Sequence, residues 1–560
     1  MNVGEAITHS LVAEGITLAA GIAGTHIGRL LDAIVAREEI SLIYCRQERV
    51  AFDICDGFAR ASGSPALVFA DSGPAAANLM GGLVNSWGDS TPVLFFAGHT
   101  DRAATSSRNT KEIPFLDVFR SVSKWAVLID DPAQVAEVMR RAFMHLRTGR
   151  LGPVVVGVPY DVSGMEVGNY EYIPLSLQPR VRCGADQEAI AAAIDLIGHA
   201  RKPYVYVGAG VLFAEATAEL VRFAELLTLP VATTLNGKSA FPENHPLALG
   251  IGGFVRARYN TLPASLYAAD ADVILTIGCG FKEPATNVRP GGGVRHIQVD
   301  IEPAELQRDH RADCVLLADA KVALRQLCDS AKSFLPAARL TPIAGRLAEL
   351  AALRERWGQV SAPLLQSEEV PINPFRVTHE LMKLADPTQT IVLHDAGTVR
   401  GTTAQHYVAT RPRSFLGFGV QSAMGWSIGA ALGAKKACPD KLVIAVIGEE
   451  AFAETALDIE TSVRNDAPVL IIVKNNRRRP DQAGGKSSRL ARVRFHQGMD
   501  ISALATALGA KAYRIEQPAD LHDQLKAAIA TVKSGRTAVA DIITTRMNAS
   551  LHKLWENPSE

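Results

Sequence analysis

A chain of 560 residues is too long for one hydrophobic core, and at typical domain sizes it divides into roughly three or four units, of which three is our working number. Lys+Arg and Asp+Glu both total 58, so no net field draws in nucleic acid or an anionic membrane surface, and a polyanion-binding role is disfavoured. The seven cysteines are odd in number, widely spaced and without a C-x-x-C pair, which argues against a disulfide framework or a zinc site and fits a reducing cytoplasm.

Residues 1–15 mix Glu5, His9 and Glu14 with apolar residues and lack the basic-then-apolar run of a signal peptide. No stretch approaches the roughly 18 uncharged apolar residues that a spanning helix needs. Short apolar runs alternate with longer segments of helical period, the pattern of parallel sheets covered on both faces. The expected fold class is α/β, with three doubly wound parallel-sheet domains.

In the first unit (1–170), residues 41–45, 65–70, 92–97 and 153–158 read as buried strands, and 49–61 as a helix. An irregular, proline-bearing linker follows at 168–184. The second unit (185–335) reads as helix 187–199, strand 203–207, helix 215–226, and strands near 231, at 273–277 and at 296–299. Its turn Gly208 to Val211 admits a phosphate, because glycine lets backbone N–H groups approach closely, but it lacks the third glycine of a dinucleotide fingerprint and also reads as a plain strand-to-helix turn. A second linker, containing a helical stretch, spans 340–374. The third unit (370–546) has strands at 390–393, 442–447, 469–473 and 539–543, and a polar tail occupies 547–560. The first and third units share size and strand rhythm without recognisable sequence identity.

The most informative segment is 443–476, where a strand ends at Gly448, Glu449 and Glu450 follow, a helix intervenes, and a second strand ends at Asn475-Asn476. Ligands of parallel sheets sit outside the carboxyl ends of strands. Glu449 and Asn476 both stand at such ends, and two oxygen ligands there suit Mg²⁺ completed by phosphate and water, while Gly448 lets a diphosphate approach the backbone. Taken alone, the same residues also read as an acidic loop and an Asn-Asn turn.

This segment resembles the thiamin-diphosphate (ThDP) signature G-D-G or G-D-S followed about 27 residues later by N-N. The resemblance to the ThDP enzymes, and to acetolactate synthases among them, spans about residues 1–545. It implies that Glu449 takes the place of the metal aspartate and Asn476 that of the metal asparagine, with Arg478 offering its backbone carbonyl. Cys45-Arg46-Gln47-Glu48 and the helix after it resemble R-H-E-x-x-A-x-x-x-A-D-G-Y-A-R, whose glutamate activates the cofactor. Glu48 would hold a proton against the pyrimidine nitrogen from a mostly apolar setting; by itself it reads as a helix N-terminal acid. Ser72-Gly73-Pro74 to Asn78 resembles S-G-P-G-x-x-N, and Asp395-Ala396-Gly397 and Ser422-Ala423-Met424-Gly425 resemble the D-x-G and G-x-M-G segments. Gly73, Asn78, Asp395, Gly397, Ser422, Gly448, Glu450, Ala451 and Asn476 are therefore expected to line the cofactor, and Met424 to wedge its two rings into a V; without the other motifs Met424 would be ordinary core.

Three departures stand out. Glu449 is one methylene longer than aspartate; Glu450 places a carboxylate where relatives have glycine or serine beside the diphosphate; and a basic run from Arg477 to Lys486, with Arg489, Arg492 and Arg494, replaces a short glycine-aromatic loop. The basic run reads either as a solvated loop or as a receiver for an anion such as a substrate carboxylate or a CoA phosphate. Lys111-Glu112 stands where many relatives have Gln-Glu, and a lysine there favours an anionic substrate. The expected activity is a ThDP- and Mg²⁺-dependent lyase or carboligase acting on a 2-oxo acid, acetolactate-synthase-like. The alternatives are a 2-hydroxyacyl-CoA lyase or oxalyl-CoA decarboxylase type, and a member that has lost ThDP chemistry to bind FAD in the middle domain or act without catalysis. The resemblance further implies a cytoplasmic homodimer or homotetramer with active sites between subunits.

Overall fold

The structure, a computed structural model, describes residues 1–105, 107–177, 180–252, 259–281, 293–308, 310–341, 343–476 and 499–545. Three six-stranded sheets follow one another along the chain, and every strand pair in them is parallel. Each sheet is covered on both faces because its strands are apolar on both. In Ala66–Ala70, Leu67 and Phe69 join one core cluster while Val68 and Ala70 join another. In Leu442–Gly448, Ile444 and Val446 likewise part from Val443, Ala445 and Ile447.

The first sheet runs in the order Ser41–Tyr44, Leu18–Gly21, Ala66–Ala70, Val93–His99, Val154–Pro159, Trp125–Leu128. The third runs Phe415–Leu416, Thr390–His394, Leu442–Gly448, Leu470–Asn475, Ala538–Ile543, Lys511–Ile515, and this is the same order of first to sixth strand. The shared strand rhythm of the two units therefore reflects a shared topology. The middle sheet differs, running Cys314–Leu317, Arg295–Asp300, Val273–Ile277, Pro203–Val207, Val231–Thr233, Ala248–Ile251.

Six strands lie outside those predicted: Leu18–Gly21, Trp125–Leu128, Ala248–Ile251, Cys314–Leu317, Phe415–Leu416 and Lys511–Ile515. Leu-Ala-Ala-Gly has little β-branched or aromatic content, Phe415–Leu416 is a two-residue edge, and Lys511–Ile515 is an edge whose residues are half-exposed. Tertiary pairing, not local preference, makes them strands. The helix predicted at 215–226 is Thr217–Leu227, preceded by a separate short turn of helix, Gly210–Phe213. In the second linker a 22-residue helix, Ala344–Leu365, buries Leu350 in the core of the middle unit. The first linker is pinned to the first unit by buried Glu14, which accepts from Tyr172 Oη at 2.6 Å and from the backbone of Leu175 and Ser176.

Helix Glu48–Ser62 of the first unit lies along helix Trp426–Ala437 of the third. Gly429 faces Val50 and Asp53, and Gly433 faces Ile54 and Phe58, so the helices run in the same direction with their N-terminal ends together. A Cβ on Gly57 would strike the backbone at Ala430, and one on Gly433 the carbonyl of Ile54; only glycine permits so close an approach. Trp426 Nε1 donates to Asp56 Oδ1 at 3.1 Å, and Arg60 donates to the Gly417 carbonyl at 2.7 Å, adding polar ties across the seam.

Candidate active site

In the third sheet the strand order reverses direction between Thr390–His394 and Leu442–Gly448, which makes this the topological switch point where doubly wound sheets open a crevice. Gly397 follows the first of these strands with φ +83° and Gly448 ends the second; a Cβ on Gly397 would meet nothing within 4 Å, and one on Gly448 only Val399 Cγ1 at 4.0 Å. Both backbones border open space. On the next strand, Asn476 directs its backbone N–H to Glu449 Oε2 at 3.4 Å, while its own Oδ1 is buried without a hydrogen-bond partner among the described residues. An open acceptor beside a carboxylate is chemistry that suits a hard cation, which takes oxygen ligands. Asn475 turns the other way and donates to Asp541 at 2.9 Å.

Asp395 and Ala451, expected to line the cofactor, are both buried. The Asp395 carboxylate accepts from the backbone N–H of Ala396, Gly425 and Ser427 at 2.7, 2.9 and 2.8 Å, so it shapes the turn that carries Met424. Burial raises its pKa, against the pull of those N–H groups. Thr455, at the end of helix Glu449–Thr455, holds the same turn by donating to the Gly425 carbonyl at 2.9 Å. Met424 stands 39% exposed, and Ser422 receives a hydrogen bond from Arg400. Glu450 lies in the first turn of helix Glu449–Thr455. Arg478 and the basic run lie outside the described residues.

At the carboxyl edge of the first sheet, Glu48 opens its helix and accepts from Asn78 Nδ2 at 3.2 Å, so two of the predicted residues meet. Gly73, at φ +64°, starts the short helix Pro74–Asn78, and a Cβ there would crowd the Lys111 carbonyl at 2.7 Å. Arg49, next to Glu48, donates to the Met424 carbonyl and to Glu454 Oε2, the latter at 3.1 Å. Glu48 and Met424 thus sit at one end of the helix pair.

Two comparisons with known proteins bear on this arrangement. The description "Thiamine pyrophosphate enzyme, N-terminal TPP binding domain" matches residues 1–119, the central domain of the same family 190–327, and its C-terminal TPP binding domain 395–542. The chain belongs to the thiamin-diphosphate enzyme family. Within it, the chain is 32% identical to a "Probable acetolactate synthase large subunit" of Methanocaldococcus jannaschii, over 94% of this chain and 89% of that one. It is 28% identical to the acetolactate synthase isozyme 3 large subunit of Escherichia coli K12 (96% and 94%), and 28% identical to a glyoxylate carboligase of Escherichia coli O157:H7 (99% and 95%). It is an acetolactate-synthase-like ThDP enzyme of the carboligase or transferase type. The reading as a non-catalytic protein has no observation behind it.

The middle unit of this ThDP enzyme holds an open cleft at the carboxyl ends of its strands, bordered by Gly208, Gly210, Gly278, Phe281, Asp300 and Arg180. Burial pushes the Asp300 carboxyl up to about 6. The Gly208 turn predicted from sequence is one wall of it. No helix among the described residues is long and apolar enough to cross a membrane.

Proposed function

We propose that the protein is a ThDP- and Mg²⁺-dependent carboligase acting on a 2-oxo acid, with the metal held by Glu449, Asn476 and the backbone carbonyl of Arg478. The observation that carries this reading is the buried open Oδ1 of Asn476 beside Glu449, with two unobstructed glycine backbones, Gly397 and Gly448, at the same switch point. Bound ThDP would supply a nucleophilic carbon that takes up the acyl unit of the substrate. Glu48 holds the proton that activates the cofactor, oriented by Asn78. Asp395 and Thr455 fix the turn on which Met424 props the coenzyme. Glu450, in the first turn after Gly448, and Ser422 complete the lining.

The functional units are 1–170, 185–335 and 370–546, with 547–560 as a tail, and the assembly is a homodimer or homotetramer in which, besides the seam within each chain, the first and third units of different subunits border the active sites. Exposed Tyr44, Met424 and Leu457 around the joined helix ends support an apolar contact there. The open cleft of the middle unit supports a second reading, in which FAD or the nucleotide of a CoA substrate occupies it, its phosphates near the Gly208 turn. One experiment tests both. Protein incubated with ThDP and Mg²⁺, desalted and heat-denatured should release near-stoichiometric thiamin diphosphate. Release of flavin alone, or of neither, would refute the carboligase reading.

A further inference from the structure

The first sheet has its own switch point, between Leu18–Gly21 and Ala66–Ala70, and a charged cluster that the ThDP site does not use is centred on it. Asp71 follows the second of these strands and is 4% exposed. Its Oδ1 accepts from the backbone N–H of His26 at 2.8 Å and from His26 Nδ1 at 3.2 Å; its Oδ2 accepts from Lys111 Nζ at 2.6 Å. The packing leaves no slack. A Cβ on Gly24 would overlap the Asp71 carboxylate, Ser72 Oγ ties the Lys111 carbonyl at 2.8 Å, and Lys111 adopts φ +64° to reach its place. On its other side the His26 ring meets Tyr160 edge-on, centroids 6.0 Å apart.

This geometry dictates protonation. Burial drives the Asp71 pKa up, but the Lys111 ammonium and the backbone N–H groups of Ser72 and His26 outweigh it and hold the carboxyl below its ordinary value. An ionised carboxylate only accepts hydrogen bonds, so His26 Nδ1 is the donor and the proton is fixed there. Nε2 is then the working nitrogen. It makes no hydrogen bond to the described residues, and the side chain is 19% exposed. An imidazole held at Nδ1 by a buried carboxylate is arranged to take and give protons at Nε2. The Lys111 ammonium, which by sequence alone favours an anionic substrate, is already paired with Asp71.

We propose that His26, oriented by Asp71 with Lys111 balancing the charge, is the acid–base group for the carbonyl oxygen of the 2-oxo substrate. The step rests on the carboligase reading above and balances. The new C–C bond would form from the electron pair of the nucleophilic carbon that bound ThDP supplies; the C=O π pair would move onto oxygen, and that oxygen would take the Nε2 proton of protonated His26. The ring keeps Nδ1–H on Asp71 and regains its Nε2 proton from water; cleavage runs the same path in reverse. His26 is the catalytic residue, and Asp71 and Lys111 are positioning residues.

The test uses full-length protein loaded with ThDP and Mg²⁺, treated with diethyl pyrocarbonate and mapped by peptide mass spectrometry. His26 should be modified, and methyl acetylphosphonate, a pyruvate analogue, should protect it at least fivefold. His26→Gln should lower pyruvate turnover by about 100-fold while releasing as much thiamin diphosphate on denaturation as the wild type. Asp71→Asn should lower kcat at least tenfold with KM unchanged. Equal labelling with and without the analogue, or turnover within threefold in His26→Gln, overturns the assignment of His26 alone. A wild-type protein that retains no thiamin diphosphate overturns the carboligase reading and this inference together.

Discussion

The first and third units have the same strand order and the same switch point, yet they arm it differently. In the third, Asn476 leaves a buried oxygen without a partner among the described residues, and Gly397 and Gly448 leave backbone uncovered. In the first, Asp71 is saturated by His26 and Lys111, and Glu48 has Asn78. One edge keeps an acceptor without a partner among the described residues; at the other, carboxylate, imidazole and ammonium pair with one another. A shared topology thus supplies two strand-end edges, and the difference between them comes from side chains on the loops.

The comparison predicts that damage to the two edges separates binding from turnover. The largest effect is expected for Glu48→Gln, which should lower turnover by about 10³-fold, within the range of lost acid–base catalysis, while thiamin diphosphate retention persists. Unchanged activity would remove Glu48 from the mechanism. Asn476→Ala should act the other way, weakening Mg²⁺-dependent ThDP binding at least tenfold, or about 1.4 kcal/mol, as followed by calorimetry. If retention is unaffected, the open oxygen has another use.

Gly433→Ala tests the seam between the two units. A methyl aimed at the Ile54 carbonyl should cost about 1–3 kcal/mol, seen as a lowered melting temperature, and an unaltered melting curve would mean that the helices can part without penalty.

A further expected effect is electrostatic and lies in the same seam. Burial pushes the Asp53 carboxyl up to about 8, against the pull of Arg49 and with Asp56, Asp395 and Asp458 adding to the rise, and neither oxygen has a hydrogen-bond partner among the described residues. In the unfolded chain the group titrates near ~3.9. The folded state therefore holds the extra proton between those values, and its stability declines as pH rises from about 4 to about 8. Asp53→Asn, which mimics the protonated acid, should raise the melting temperature more at pH 8 than at pH 5. A benefit that is flat with pH would show that Asp53 is ionised in the fold.

Strands such as Val273–Ile277 and Pro203–Val207 are legible because their residues are β-branched or aromatic and bounded by turn residues. Leu18–Gly21 is not, although it is the strand beside which the first switch point forms. Glu48, Glu449 and Asn476 are legible as candidates because each ends or follows a readable element, whereas Asn78 is legible only through the resemblance of Ser72–Asn78 to a family motif. His26 and Asp71 are 45 residues apart in sequence and carry no local signal; a strand followed by an acid, near a lone histidine in a turn, would have singled them out only if the strand order were known.

What the chain determines by itself is local: periodicity that selects parallel α/β units, and the residue types that stand at the ends of recognisable strands. The tertiary structure alone decides which strand ends are neighbours, that two glycine-bearing helices from distant units lie side by side, and that the Lys111 charge is matched by Asp71. The reason is range, since hydrophobic period and turn chemistry act over a few residues, whereas charge pairing and burial depend on which distant segments packing brings within a few ångströms.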